Sequence, residues 1–327
     1  MAPTIEGDTP IAYYCGATCQ KEHWKEHKPI CRKLQTRAQL YRVVGLAEKL
    51  FYIYRELTWC KLNIQRIEKT DGRLTLRGEV HRDATWPEDY KVFPSSLVSS
   101  EEERKAILSF CGCIDGVQWM NEVVKGMLGD VVEKVSVIEL KTKNSKLRTR
   151  MCPVSVDVRI SLAFTFGDII HEILKLELPS GEIFAVDIAG SQYGYDEPIL
   201  PWGKYERTRI TRIFESKLAP QSQGVVEVDD CSMQSMMAID QKMSKGSNGV
   251  VNLDILQAMC FHIIEWQAGS GVSLKKLWKL SEQKFLPKRE DLLDYVEWKF
   301  HTPPHEYFTV KGRKLSEQIK GKWDFKK

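Results

Sequence analysis

At 327 residues, 43% hydrophobic and 28% charged, the chain has the make-up of a globular protein with room for a sizeable core. Its nine cysteines are scattered rather than framed as bridges, no apolar run reaches membrane-spanning length, and no basic and apolar leader opens the sequence. The reading is a protein of the cytosol or nucleus, and its net charge of +4 is too small to argue for a nucleic-acid partner.

The first patterned segment is YCGATCQKEHWKEHKPIC, Tyr14 to Cys31. It sets Cys15, Cys19, His27 and Cys31 in the order Cys-x3-Cys-x7-His-x3-Cys. Thiolates and a neutral imidazole suit tetrahedral zinc. A four-residue step puts both members of each pair on one helical face, so each pair can grip one metal.

The segment resembles the C-terminal half of a MYND-type zinc finger, within a group of fungal MYND-finger proteins. The resemblance implies eight ligands and two zinc ions in a cross-braced, treble-clef-like arrangement. Cys15 with Cys19 would be the third ligand pair and His27 with Cys31 the fourth, one pair to each ion. Met1 to Tyr14 hold no Cys or His, so each ion has two protein ligands in this sequence. Three readings stay open: a start further upstream, a finger that no longer binds zinc, and a single rearranged site. MYND fingers take proline-rich peptides, and Gln20 and Trp24 match the peptide-facing positions, with Ile11 to Tyr14 as the remaining hairpin strand. An indole packs on proline rings and an amide bonds a peptide backbone. For Trp24 a purely structural brace is the competing role.

Apolar residues at three- and four-residue steps from Leu34 to Leu57 predict a helix over about 32–60 that links the finger to the body. Strands are expected at 62–69 and 73–80 around Thr70-Asp71-Gly72, and loop from Trp86 to Ser100. Ser100 caps an acidic helix start, and Asp115 is the expected cap of a second helix through Val117, Met120, Val124 and Met127. Val131–Leu140 and Arg148–Ile160 read as strands. The clearest hairpin is 169–178 with 182–188, around Pro179-Ser180-Gly181, with one face in and one out. A Gly- and Pro-punctuated loop covers 189–202, and helices follow at about 205–218, 230–245, 252–267, 273–284, 288–300 and 304–320.

The class is α+β: a partial finger (11–33), a mostly antiparallel α+β body with inserted helices (34–220) and a helical C-terminal third (221–327). Lys141–Arg150 carries five basic residues and no acid, and the tail from Lys311 carries seven. No groove-reading helix or aromatic platform accompanies them, so solvated surface is preferred and no nucleic acid is expected.

LPSGEIFAVDIAGSQYGYDEPILPW, within the body, resembles the stretch that follows the finger in the same fungal group, whose body has no activity to carry over. The Asn-His-Ser-Cys run of a SET methyltransferase is absent from the sequence. A weaker likeness is to transglutaminase-like or papain-like sites, with chain order Cys, His, Asp. It implies Cys113 as nucleophile at a helix start, His171 as base and Asp187 as orienting group, for acyl transfer or amide hydrolysis by an active or an inactive relative. Ile173 stands where many such sites carry tryptophan, and Cys111 is a rival thiol. The bland alternative is three ordinary core residues. The leading function is therefore zinc-stabilised protein–protein recognition rather than catalysis.

Overall fold

The computed structural model describes Ile5, Asp8, Met127 and residues 13–59, 63–79, 93–117, 131–143, 145–153, 170–218 and 248–301. Helix α1, Ala17–Leu57, is its spine. At 41 residues it is about 60 Å long. The linking helix expected from residue 32 thus begins at Ala17 and runs unbroken through residues 33 and 34. Its two halves differ in kind. Residues 17–36 are exposed or half-buried. From Arg37 onward Leu40, Val43, Val44, Ala47, Leu50 and Phe51 are fully buried. The exposed half has weak local support, because Gly16 offers no side-chain cap, the first turn has no acid, and Pro29 lies inside the helix and removes a ladder hydrogen bond.

The strands form two sheets. In the first, β1 (Asn63–Thr70) and β2 (Arg73–Glu79) make the expected hairpin, with Gly72 at φ 64° in the turn. Strand β4 (Arg148–Pro153) adds to β2 in parallel. In the second, β3 (Lys134–Thr142), β5 (His171–Glu177), β6 (Ile183–Val186), β7 (Ile199–Pro201) and β8 (Ile210–Leu218) stand in the order β7-β6-β5-β3-β8, all antiparallel. Mixed helix and sheet, with mostly antiparallel pairing, agree with an α+β class. Of the treble clef, the described residues hold only the helix: Tyr13 and Tyr14 are irregular, while Ile11 and Ala12 lie outside them.

Helix α2, Glu101–Ser109, starts as its sequence demands, with Ser100 Oγ accepting the Glu103 N–H at 3.2 Å. A helical turn over 113–117 follows. Its first residue is Cys113, so Asp115 is inside the turn rather than its cap, and its carboxylate pairs with Arg55 of α1. Three further sequence readings change. The expected helix at 205–218 is helix α3, Trp202–Arg209, followed directly by β8. The loop 189–202 contains β7 and a tight turn at Gly190–Tyr193. The hairpin β5–β6 has both faces covered: Leu174 and Leu176 join the large core with α1, while Ile173 and Ala185 join a second cluster with Tyr205 of α3.

The remaining helices are α4 (Asn248–Ser270), a single turn α5 (Leu274–Leu277) and α6 (Glu282–His301). They dock on α1 through Met259, Ile263, Leu292 and Val296, all buried in the large core. Arg42 binds the Trp278 and Leu280 carbonyls and the Glu282 carboxylate. The expected helices at 230–245 and 304–320, and the strand residues beyond 153, lie outside the described residues. No helix among those described is long and apolar enough to cross a membrane.

Candidate functional site

The four finger residues sit at the exposed end of α1. Cys15 Sγ and Cys19 Sγ are 2.9 Å apart, and His27 Nε2 and Cys31 Sγ are also 2.9 Å apart. The structure therefore brings each predicted pair together. Among the described residues no three Cys, His, Asp or Glu side chains gather in a way that could hold a metal ion. The single-site alternative has no geometric support, and two half-sites describe the arrangement.

Each half-site fits two ligands of a tetrahedral zinc. With zinc–sulfur bonds near 2.3 Å, a tetrahedral edge between two thiolates is about 3.8 Å, so chelation needs the pair to open by roughly 1 Å through side-chain rotation. The Cys15 hydrogen bond, aided by burial and opposed by Cys19's own backbone, raises the pKa of the Cys19 thiol. A metal has to displace that proton, which makes binding weaken in acid.

Gln20 and Trp24 lie one turn apart on the same helix. With Lys21 they line a shallow, open stretch of the helix surface. Trp24 is 45% exposed, a large apolar surface for a helix position with no core beneath it. Its ring also leans on His27, centroids 6.2 Å apart.

Residues 11–31 match the family model of the MYND finger. This segment is MYND-type zinc finger sequence. Comparison of the whole chain with curated proteins and with solved structures returned no match. The MYND assignment therefore covers the exposed end of α1 and leaves the body to be read from its own geometry.

In that body, His171 opens β5 and Asp187 follows the last residue of β6. Antiparallel pairing puts both at one end of the sheet, and His171 Nε2 lies 2.9 Å from Asp187 Oδ1. The other carboxylate oxygen accepts the Tyr205 hydroxyl at 2.7 Å. All three side chains are buried. Burial works against ionising Asp187, but His171, Tyr205 and Arg209 outweigh it and hold the carboxyl below its ordinary value. For His171, burial opposes the charge, and Asp187 with a smaller part from Cys113 overcomes it, raising the ring to about 10.

Cys113 stands beside this ring, near enough to act on it. His171 Nδ1 is buried with no hydrogen-bond partner. Three residues that sequence reading missed fix the arrangement. Tyr205 anchors Asp187. Arg55, from α1, bonds the Leu108 and Phe110 carbonyls and pairs with Asp115, which locks the turn bearing Cys113. Gly190 leaves space, since a Cβ there would sit 2.8 Å from Asp187 Oδ2. Tyr205 and Arg55 act across 18 and 60 residues of chain and carry no local signal, whereas Gly190 lies in the loop directly after Asp187.

Proposed function

We propose that the chain binds zinc through Cys15 with Cys19 and His27 with Cys31, one pair to each of two ions, and uses the surface beside them for protein recognition. The observation that carries the reading is the convergence of each pair, Cys15 with Cys19 at the start of α1 and His27 with Cys31 about two turns further along it, within a stretch that matches the MYND finger. Two ligands from each pair are half of a structural zinc's usual four, so the metal's remaining positions fall to other donors.

Gln20 and Trp24 are the proposed peptide contacts. A proline-rich segment in extended form offers flat rings to the indole and free carbonyls to the glutamine amide, and it loses little entropy on binding. The cytosol or nucleus, where thiols stay reduced, is the proposed setting.

Cobalt titration of the purified chain tests the metal reading. Thiolate-to-cobalt charge-transfer bands should appear and be displaced by zinc. The double variant Cys19→Ser/Cys31→Ser should lose them, and unchanged spectra in that variant would reject the assignment. For the peptide, fluorescence titration with a library of proline-rich peptides should give binding that Trp24→Ala weakens at least ~10-fold, about 1.4 kcal/mol.

A further inference from the structure

The structure assigns a second chemistry to the body: we propose that Cys113, His171 and Asp187 form a thiol acyl-transfer site whose substrates are carboxylic esters or amides. It is independent of the finger. Two of its members are joined by a 2.9 Å contact, the third lines one small cavity with Asp187 and acts on the same ring, and one nitrogen of that ring is buried without a hydrogen-bond partner. A buried imidazole nitrogen with no partner is costly, because a polar atom shut from water loses its hydrogen bond there. The position is explained if that nitrogen completes its bond when a thiolate and an acyl group occupy the site. Asp187 fixes which nitrogen is free by engaging Nε2, and Tyr205 fixes Asp187.

The steps balance without an outside reagent except water. The reacting form is the Cys113 thiolate beside the protonated His171 ring. The thiolate attacks the acyl carbon, a carbon–sulfur bond forms, and the bond to the leaving alcohol or amine breaks. The leaving group takes the proton from Nδ1 and departs neutral, leaving a thioester and a neutral ring. Water then attacks the thioester and gives a proton to Nδ1. The carbon–sulfur bond breaks, which releases the acid and restores the thiolate and imidazolium. An amine in place of water would make the same site a transferase.

The space at the thiol identifies what must move. The cavity beside Cys113 is about 10 Å³, bounded by Val117, Leu174, Val186, Ile188 and Ala189 among others. It holds at most one water. The turn Gly190–Tyr193 closes this region: the Tyr193 ring stands edge-on to His171 at 5.0 Å, Gln192 accepts the Cys111 N–H, and Ser191 bonds Tyr52 of α1 at 3.0 Å. Substrate entry requires this turn to lift. The aliphatic walls, with Glu172 and Asp187 also in the lining, favour a small uncharged acyl group over an anionic one.

The test is reaction of the full chain with p-nitrophenyl acetate, following nitrophenolate release and mapping acetyl groups by mass spectrometry. The expected result is a burst of nitrophenolate with transient acetyl on Cys113, cleared much faster than acetyl on exposed Cys15. Cys113→Ala should abolish the burst while circular dichroism shows the fold kept, and Cys15→Ser should leave the burst intact. His171→Gln should slow clearance of the Cys113 adduct by about 100-fold or more. Wild-type protein in which Cys113 stays unmodified, or carries an acetyl group as persistent as that on Cys15, would overturn the proposal, and neither result depends on a variant folding.

Discussion

At His171, two forces pull against each other. Burial disfavours a charged ring, while the Asp187 carboxylate and its hydrogen bond favour one, and the second effect wins, leaving the ring at about 10 in place of 6.5. A group that holds its proton more tightly folded than unfolded contributes stability in full below 6.5, and loses it as pH rises through about 10. Asp187 has the opposite sign: its lowered carboxyl contributes above 3.8 and loses that contribution as pH falls. The pair is therefore most stabilising between those two limits. Urea midpoints should fall from pH 6.5 toward pH 10 in the wild-type chain, and the fall should flatten in His171→Gln. Parallel profiles for the two proteins would show that the ring does not carry the effect. The meeting of His171 and Asp187 was legible in the sequence, since a tight hairpin fixes which strand ends coincide. Tyr205 and Arg55 were not, because both reach the site from helices whose docking no local pattern encodes.

At the level of elements, α1 ties distant parts of the chain together. Arg37 is fully buried between Asp8, at 2.5 and 2.7 Å, and Glu182 of the β5–β6 hairpin, at 2.5 and 3.0 Å. The Arg37 hydrogen bond outweighs burial and holds Asp8 at about 2. Arg37→Ala would strand two carboxylates, and the expected loss in chemical denaturation is about 3 kcal/mol. A loss under 1 kcal/mol would mark the clamp as incidental. The β1–β2 hairpin was readable because Asp71-Gly72 is a strong turn signal flanked by strand-forming residues. Strand β8 was not. No Gly or Pro separates it from α3, and it is a strand because β3 offers it a free edge, a contact 69 residues away between Thr211 and Thr142. Helix α3 ends where Arg209 turns to Glu197, again a tertiary cause.

Taken whole, the molecule keeps the two proposed sites apart. The proposed metal pairs lie at the start and along the exposed half of α1, where the helix has weak capping and an internal proline. The thiol site lies where the buried half of α1, α2 and the second sheet meet. The spacing of Cys15, Cys19, His27 and Cys31 was enough to read the first from sequence, because side chains four apart converge on any helix. What spacing does not encode is that α1 is continuous from finger to core, so a metal held at its exposed end acts on the helix that frames the body. Zinc K-edge X-ray absorption on the purified chain tests the metal assignment most directly. The account predicts sulfur at about 2.3 Å and nitrogen at about 2.0 Å around zinc, with the sulfur shell lost in the Cys19→Ser/Cys31→Ser variant. A chain that retains no zinc, or whose zinc environment is the same in that variant, would contradict it.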